Sequence, residues 1–331
     1  MTGMETWAAD EVTHTLHLQT KQIPQPGPGE VLLQVVACGV CRTDLHVLDG
    51  DLPTHRPHIT PGHQIVATVV ESGPNTTLLH PGDLVGVAWL RHTCGVCLWC
   101  TSGRENLCPT SLYTGWDADG GYADYTVVPE AFAYLLPADS DPESVAPLLC
   151  AGIIGYRALH RANLPPGGRL GIYGFGSSAH ITAQLAMAAG SEVYAMTRGE
   201  HNRSLAGALG LAFVGAERAV PPEALDAAIV FAPAGDLVPV ALTATSEGGT
   251  VVLAGIHMSE IPAIDYDTTL FGERDLRSVR SNTRQDGREF LKIAHNLALR
   301  PTVTTYPFSR TADALDDLRA GRLAGSAVIV R

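Results

Sequence analysis

The 331-residue chain is long for one hydrophobic core, and at the usual ~100 to 200 residues per domain it is expected to form two. Apolar residues make up 45% and charged residues 17%, which argues against disorder, and the net charge of −12 argues against the concentrated basic face that nucleic acid or an anionic membrane needs. No apolar run approaches the ~20 residues of a membrane span, and Met1 to Thr13 lacks a basic segment followed by an apolar one, so small soluble partners and a cytoplasmic location are expected.

From Thr13 to Val40 apolar and polar residues alternate, broken by Pro24-Gln25-Pro26-Gly27-Pro28-Gly29, which reads as short strands and turns. The same texture continues through Ile65 to Ser72, Gly82 to Trp89 and Gly121 to Val128 without a long helical period, so the first half is expected to be mostly β. After Pro147 the text changes. Ala151 to Ala162 is a helix candidate, and the short strand candidates Leu170 to Tyr173, Glu192 to Met196, Ala227 to Phe231 and Thr250 to Ala254 then alternate with helices. That rhythm marks a parallel α/β domain. Ser178 to Ala189 carries a helical period through Ile181, Leu185 and Ala188, and the tail holds helix candidates at Arg288 to Leu299 and Ala312 to Ala320 before a last strand, Ser326 to Val330.

Seven cysteines are an odd number for a disulfide framework, and their grouping is informative. Cys94, Cys97, Cys100 and Cys108 form C-x2-C-x2-C-x7-C, four thiols close enough for a closed tetrahedral zinc site that would hold a lobe in shape and do no chemistry. An iron-sulfur cluster or two disulfides are the alternatives. Cys41, Cys150 and His63, the last at the mouth of a strand candidate, could bind a second zinc with one position open, although a lone His or Cys is as often a packed core residue. Gly174-Phe175-Gly176-Ser177-Ser178-Ala179 follows the strand Leu170 to Tyr173 and opens a helix, the setting that a dinucleotide-binding G-x-G-x-x-[GA] loop requires. Gly174 and Gly176 would let the backbone pass close to a pyrophosphate whose charge sits at the helix N-terminus, Ser177 is counted with them as a coenzyme residue, and Ala179 keeps helix and strand close.

The runs Cys38-Gly39-Val40-Cys41-Arg42-Thr43-Asp44-Leu45-His46, Pro61-Gly62-His63 and Leu149-Cys150-Ala151-Gly152, with the four-cysteine lobe in its place, resemble the zinc alcohol dehydrogenases of the medium-chain dehydrogenase/reductase superfamily. The resemblance runs in order from about residue 24 to the end. It implies an α/β fold: a GroES-like β-rich catalytic domain over 1–150, completed by a C-terminal segment over 281–331, and a Rossmann doubly wound parallel-sheet domain over 151–280. It implies two zinc ions per chain, with Cys41, His63 and Cys150 holding the catalytic one and Asp44 orienting His63 through its other ring nitrogen. Cys38 is left as a small buried spectator. By the same resemblance Thr43 hydrogen-bonds the alcohol oxygen and His46 is the terminal base, reached through the coenzyme ribose. Trp89 and Trp116 fall where the family has bulky pocket residues. Arg42 would meet the coenzyme pyrophosphate from the other domain, and Ile256 is counted among the coenzyme residues.

Two departures stand out. The family usually has Gly-His-Glu where this chain has Gly62-His63-Gln64, which puts ligand exchange in doubt unless the glutamine is a surface-polar substitution. Ser326 stands where the family often has a second pyrophosphate-binding arginine.

The activity implied is hydride transfer between NAD(P)(H) and an alcohol/aldehyde pair in a homodimer or homotetramer. The alternatives are a zinc-containing polyol or aryl-alcohol dehydrogenase, or a non-catalytic nucleotide-binding protein with structural zinc. NADP(H) is expected over NAD(H), because Thr197 occupies the position where an NAD site has a carboxylate and Arg198 beside it can meet a 2′-phosphate. Glu200 is close enough to act as ribose acceptor instead.

Overall fold

The computed structural model describes residues 3–10 and 12–331; Met1, Thr2 and Glu11, part of the start read above, lie outside the described residues. The chain forms two compact units. Met1–Cys150, Ser281–Leu291 and Thr302–Arg331 make the first, and Ala151–Arg280 with Lys292–Pro301 the second. The tail expected to join the first unit whole from residue 281 is thus divided, with Lys292–Pro301 clustering with the second.

The first unit is antiparallel in the main. Its seven-stranded sheet runs in the order Val303–Pro307, Ser326–Val330, Glu30–Val40, Gln64–Ser72, Leu84–Val87, Ala133–Leu135, with Tyr125–Pro129 added alongside Glu30–Val40. The segment Thr13 to Val40, read as short strands and turns, holds the strands Thr15–Gln22 and Glu30–Val40 on either side of its Pro/Gly run, and the second reaches 11 residues because Val31, Leu33 and Val35 all join the same core as Ile65, Val69, Val85 and Ile329. Bulges between Leu32 and Leu33 and between Val35 and Ala37 adjust its pairing so that Gly39 lies opposite Gln64. That register sets Cys41, two residues on, beside His63.

Cys41 then caps a helix, Arg42–Asp49, that the β texture concealed. Asp44, at its third position, accepts the Cys41 N–H at 2.8 Å, and Gly50 closes the helix at a positive φ of 81°. With eight residues the helix is too short to show a period, yet it buries Leu45, Val47 and Leu48.

In the second unit six parallel strands lie in the order Phe213–Gly215, Glu192–Met196, Arg169–Tyr173, Leu225–Val230, Thr245–Leu253, Asp275–Ser278. Numbered along the chain this is 3-2-1-4-5-6, the doubly wound order that the resemblance implies, built on the parallel α/β alternation read from the strand-helix rhythm. The inner strands are buried on both faces and so read as apolar runs, whereas the edge strands Phe213–Gly215 and Asp275–Ser278 are short and only partly covered and escaped the sequence reading. Among the described residues no helix is long and apolar enough to cross a membrane.

Candidate metal centres and coenzyme loop

Cys41, His63 and Cys150 converge in the first unit, with their ligand atoms within 4.8 Å of one another. Asp44 organises the group. Its buried carboxylate accepts four hydrogen bonds: Cys41 N at 2.8 Å and the Tyr122 hydroxyl at 3.0 Å on Oδ2, Gly62 N at 3.1 Å and His63 Nδ1 at 3.0 Å on Oδ1. A carboxylate on Nδ1 fixes the proton there and leaves Nε2 as the electron-pair donor. Nε2 is buried and has no hydrogen-bond partner.

Burial works against charge on His63, yet the Asp44 carboxylate and Cys41 outweigh it and hold its proton up to about 10. The Cys150 thiol, donating to Cys41, holds Cys41 well below the ordinary cysteine range, while Cys150 itself is pushed up by that contact and by burial. The Asp44 carboxylate behind His63 and the two sulfurs beside it make a buried place that attracts positive charge. Two thiols and one orphaned imidazole nitrogen, with no fourth His, Cys or carboxylate ligand gathered beside them among the described residues, fit an open zinc site.

Around this centre, Thr43 is buried, with its Oγ1 3.6 Å from Cys41 Sγ. His46 lies farther out on the same helix and donates from Nδ1 to Asp51 Oδ2 at 2.8 Å. Arg42 is exposed at the helix start. Trp89 meets the His63 ring edge-on at 5.0 Å and stacks on Trp116 at 6.0 Å with the planes 6° apart. Trp116 is anchored by its indole N–H to Pro53 O at 3.0 Å, so the two rings form one wall beside His63. Cys38 is fully buried in the core, where burial raises its thiol well above the usual range.

Cys94, Cys97, Cys100 and Cys108 form the second cluster, their sulfurs also within 4.8 Å of one another. Backbone N–H groups point at the sulfurs, Cys97 N to Cys94 and Cys94 N to Cys108, each at 3.4 Å. Burial opposes ionisation of Cys108, but the donors from Cys94 and Thr110 prevail and bring its thiol down to about 6. Four sulfurs gathered this closely suit a closed structural zinc.

In the second unit the strand Arg169–Tyr173 leads into the glycine loop and the helix Ser177–Ala188. Gly174 has φ 85°, and a Cβ there would stand 2.9 Å from Ala232 N, so both backbone and space demand glycine. Gly176 caps the helix and is exposed; a Cβ on it would meet no protein atom within 4 Å. Ala179 is fully buried against the sheet, and Ser177 is the first helical residue. Thr197 is also buried, its hydroxyl oxygen accepting Phe175 N at 3.2 Å, whereas Arg198 and Glu200 beside it are exposed. Ile256 is 54% exposed just beyond the strand Thr245–Leu253.

Residues 27–138 match the alcohol dehydrogenase GroES-like domain and residues 179–296 the zinc-binding dehydrogenase family. The chain is 54% identical over 323 residues to a Mycobacterium tuberculosis protein named as a probable alcohol dehydrogenase, covering 96% of this chain and 93% of that protein. It is 34% identical over 335 residues to an alcohol dehydrogenase of Geobacillus stearothermophilus, covering 98% of each. The solved structure of a cobalt- and zinc-bound thermostable alcohol dehydrogenase from Pyrobaculum aerophilum superposes with a TM-score of 0.91 at 25% identity, covering 100% of both chains. The chain belongs to the zinc alcohol dehydrogenases of the medium-chain dehydrogenase/reductase superfamily. It is an NAD(P)-dependent oxidoreductase of alcohols and aldehydes.

Set beside other zinc alcohol dehydrogenases, the chain's two departures take on definite settings. Gln64 is not a surface substitution: it is 3% exposed, opens the strand Gln64–Ser72 and lies over Gly39, where a Cβ would meet its Cδ at 2.9 Å. Ser326 is buried as the first residue of its strand. Tyr122 escaped the sequence reading of this dehydrogenase altogether. Its only signal is the pair Gly120-Gly121 before it, two positions where a Cβ would strike Gly62 O at 2.0 Å and Ile65 Cγ1 at 2.5 Å.

Proposed function

We propose that this dehydrogenase holds two zinc ions per chain, a catalytic one on Cys41, His63 and Cys150 and a structural one on Cys94, Cys97, Cys100 and Cys108. The observation that carries the reading is His63 Nε2, a buried nitrogen without a hydrogen-bond partner, gathered with two thiols while Asp44 occupies Nδ1. Zinc bound there would act as a Lewis acid on the substrate oxygen and ease loss of the hydroxyl proton. Thr43 Oγ1 accepts that proton's hydrogen bond, and His46, at the outer end of the same helix, is the proton's last acceptor before solvent. Trp89 and Trp116 wall the substrate side and exclude water from it.

The coenzyme, when bound, exchanges a hydride with the substrate carbon. Gly174 and Gly176 let its pyrophosphate approach the backbone at the N-terminus of the helix Ser177–Ala188. Ile256 borders the same coenzyme. NADP(H) is favoured over NAD(H), because Thr197 offers no carboxylate to repel a 2′-phosphate and Arg198 stands exposed beside it. The protein works in the cytoplasm as a homodimer or homotetramer on small alcohols or aldehydes.

The test is turnover of a panel of alcohols and aldehydes with NADPH and NADH, followed by nicotinamide absorbance. Activity should vanish when metal is removed and return with zinc. Activity untouched by complete metal removal, or by Cys41→Ser, would overturn the catalytic-zinc reading.

A further inference from the structure

Tyr122 is fully buried, and its hydroxyl donates to Asp44 Oδ2 at 3.0 Å. A buried tyrosine needs some partner for its O–H, so the bond alone says little. What is informative is how closely the chain constrains it. The Tyr122 backbone is fixed at both ends, its N–H donating to Pro61 O at 3.1 Å and its carbonyl accepting Trp7 N at 2.8 Å. The ring lies against Gly62, which has φ 96° and where a Cβ would stand 2.8 Å from Tyr122 Cδ1. Gly62 N in turn donates to Asp44 Oδ1, the oxygen that holds His63 Nδ1. Residue 62 is thus kept bare so that the phenol can reach one oxygen of the carboxylate while the main chain reaches the other.

We propose that Tyr122 is a positioning residue for the Cys41, His63 and Cys150 centre. Its hydroxyl, with Cys41 N, pins Asp44 Oδ2, and so keeps Oδ1 aimed at His63 Nδ1 and His63 Nε2 aimed at the two thiols. Without the hydroxyl, Oδ2 retains only the Cys41 N–H, the carboxylate gains freedom to turn, and the imidazole loses a fixed orientation. This rests on the catalytic-zinc reading above, so its test must separate the two.

The experiment is zinc release to excess chelator, read with a metallochromic indicator, in wild type, Tyr122→Phe, Asp44→Asn and the double variant. Cys41→Ser assigns the catalytic phase. Phenylalanine keeps the ring and removes only the hydroxyl. Catalytic-site release is expected to quicken about tenfold in Tyr122→Phe, the low end for partners behind a metal ligand, with structural-site release unchanged. Asp44→Asn should quicken it more, and adding Tyr122→Phe to it should change little further, because the tyrosine acts through the aspartate. An unchanged catalytic phase in Tyr122→Phe overturns the proposal, as does equal acceleration of both phases with a lowered Tm, which would mark a merely structural role. Identical release profiles in wild type and Cys41→Ser, with no phase lost, would overturn the zinc reading itself and the proposal with it.

Discussion

The hydroxyl oxygen of Thr197 accepts the backbone N–H of Phe175 at 3.2 Å, tying the end of the second parallel strand to the middle of the glycine loop. Thr197 therefore faces inward, 1% exposed, and serves the loop rather than the adenosine ribose. The side chains offered outward at that strand end are Arg198 and Glu200, with Arg203 one turn into the next helix, its Nη1 donating to Thr197 O at 3.4 Å. Catalytic efficiency should be higher with NADPH than with NADH. Arg198→Ala should raise the NADPH KM about tenfold, the scale of one charge-assisted hydrogen bond of about 1.5 kcal/mol, and leave NADH nearly unaffected. A wild type that prefers NADH, or an NADPH constant unmoved by the substitution, defeats this.

Sequence periodicity carried the second unit further than the first. Its inner strands end in buried apolar runs because both faces are covered there, and Glu192–Met196 and the helix Ala151–Ala162 were legible residue for residue. The first unit hid the helix Arg42–Asp49, since eight residues that pack only Leu45, Val47 and Leu48 cannot display a 3.6-residue period between two strands. The thiols and His63 could be singled out by residue type. Their meeting depends on the offset of two paired strands, bulges included, which no local pattern encodes. Tyr122 was illegible for a related reason: its partner Asp44 lies 78 residues earlier, and a tyrosine in a strand-like run looks like any other core aromatic.

Thr43→Val keeps the volume of a buried side chain and removes its hydroxyl. If Thr43 Oγ1 receives the substrate's O–H, turnover should fall roughly a hundredfold or more, the usual weight of a positioned proton-transfer group, with coenzyme affinity preserved. His46→Gln should cost less, because water can stand in for a group at the outer end of the path. Steady-state kcat with coenzyme binding measured separately checks both, and a Thr43→Val enzyme near wild-type rate removes Thr43 from the proton path.

Two zinc ions per chain should be found in protein purified without chelator. The two clusters should respond differently to loss of one thiol. Cys41→Ser should abolish turnover with the fold retained, whereas Cys94→Ser should impair folding or assembly, because a closed site holds its lobe together and an open one does chemistry. Elemental analysis with circular dichroism decides it. One zinc or fewer in the wild type, or an active and well-folded Cys94→Ser protein, would contradict the assignment.

The four-cysteine lobe is also held by an ion pair reaching 179 residues along the chain. Glu105, in the turn just before Cys108, receives Arg284 through the backbone N–H at 2.8 Å and through the guanidinium at 2.6 to 3.1 Å, while Arg284 also lies over the Phe132 ring at 4.4 Å. Burial alone would raise the Glu105 carboxyl, but Arg284 more than offsets it and holds the carboxyl below its ordinary 4.5. A carboxyl whose folded value is depressed contributes stability that is present in full above the unfolded value and is lost as pH falls through the folded one. Arg284→Gln leaves the carboxylate partly buried without its cation and should cost about 2 kcal/mol at neutral pH, below the range for fully buried pairs because Arg284 is 28% exposed. The difference in stability between wild type and variant should be full at neutral pH and narrow as the pH falls, first where Glu105 takes up its proton in the variant, which keeps the burial without the cation, and then through the depressed wild-type value below 4.5. Denaturant unfolding of both proteins across that range measures the difference, and a gap that stays constant into acid would show that Arg284 stabilises the lobe by packing on Phe132 and not by charge.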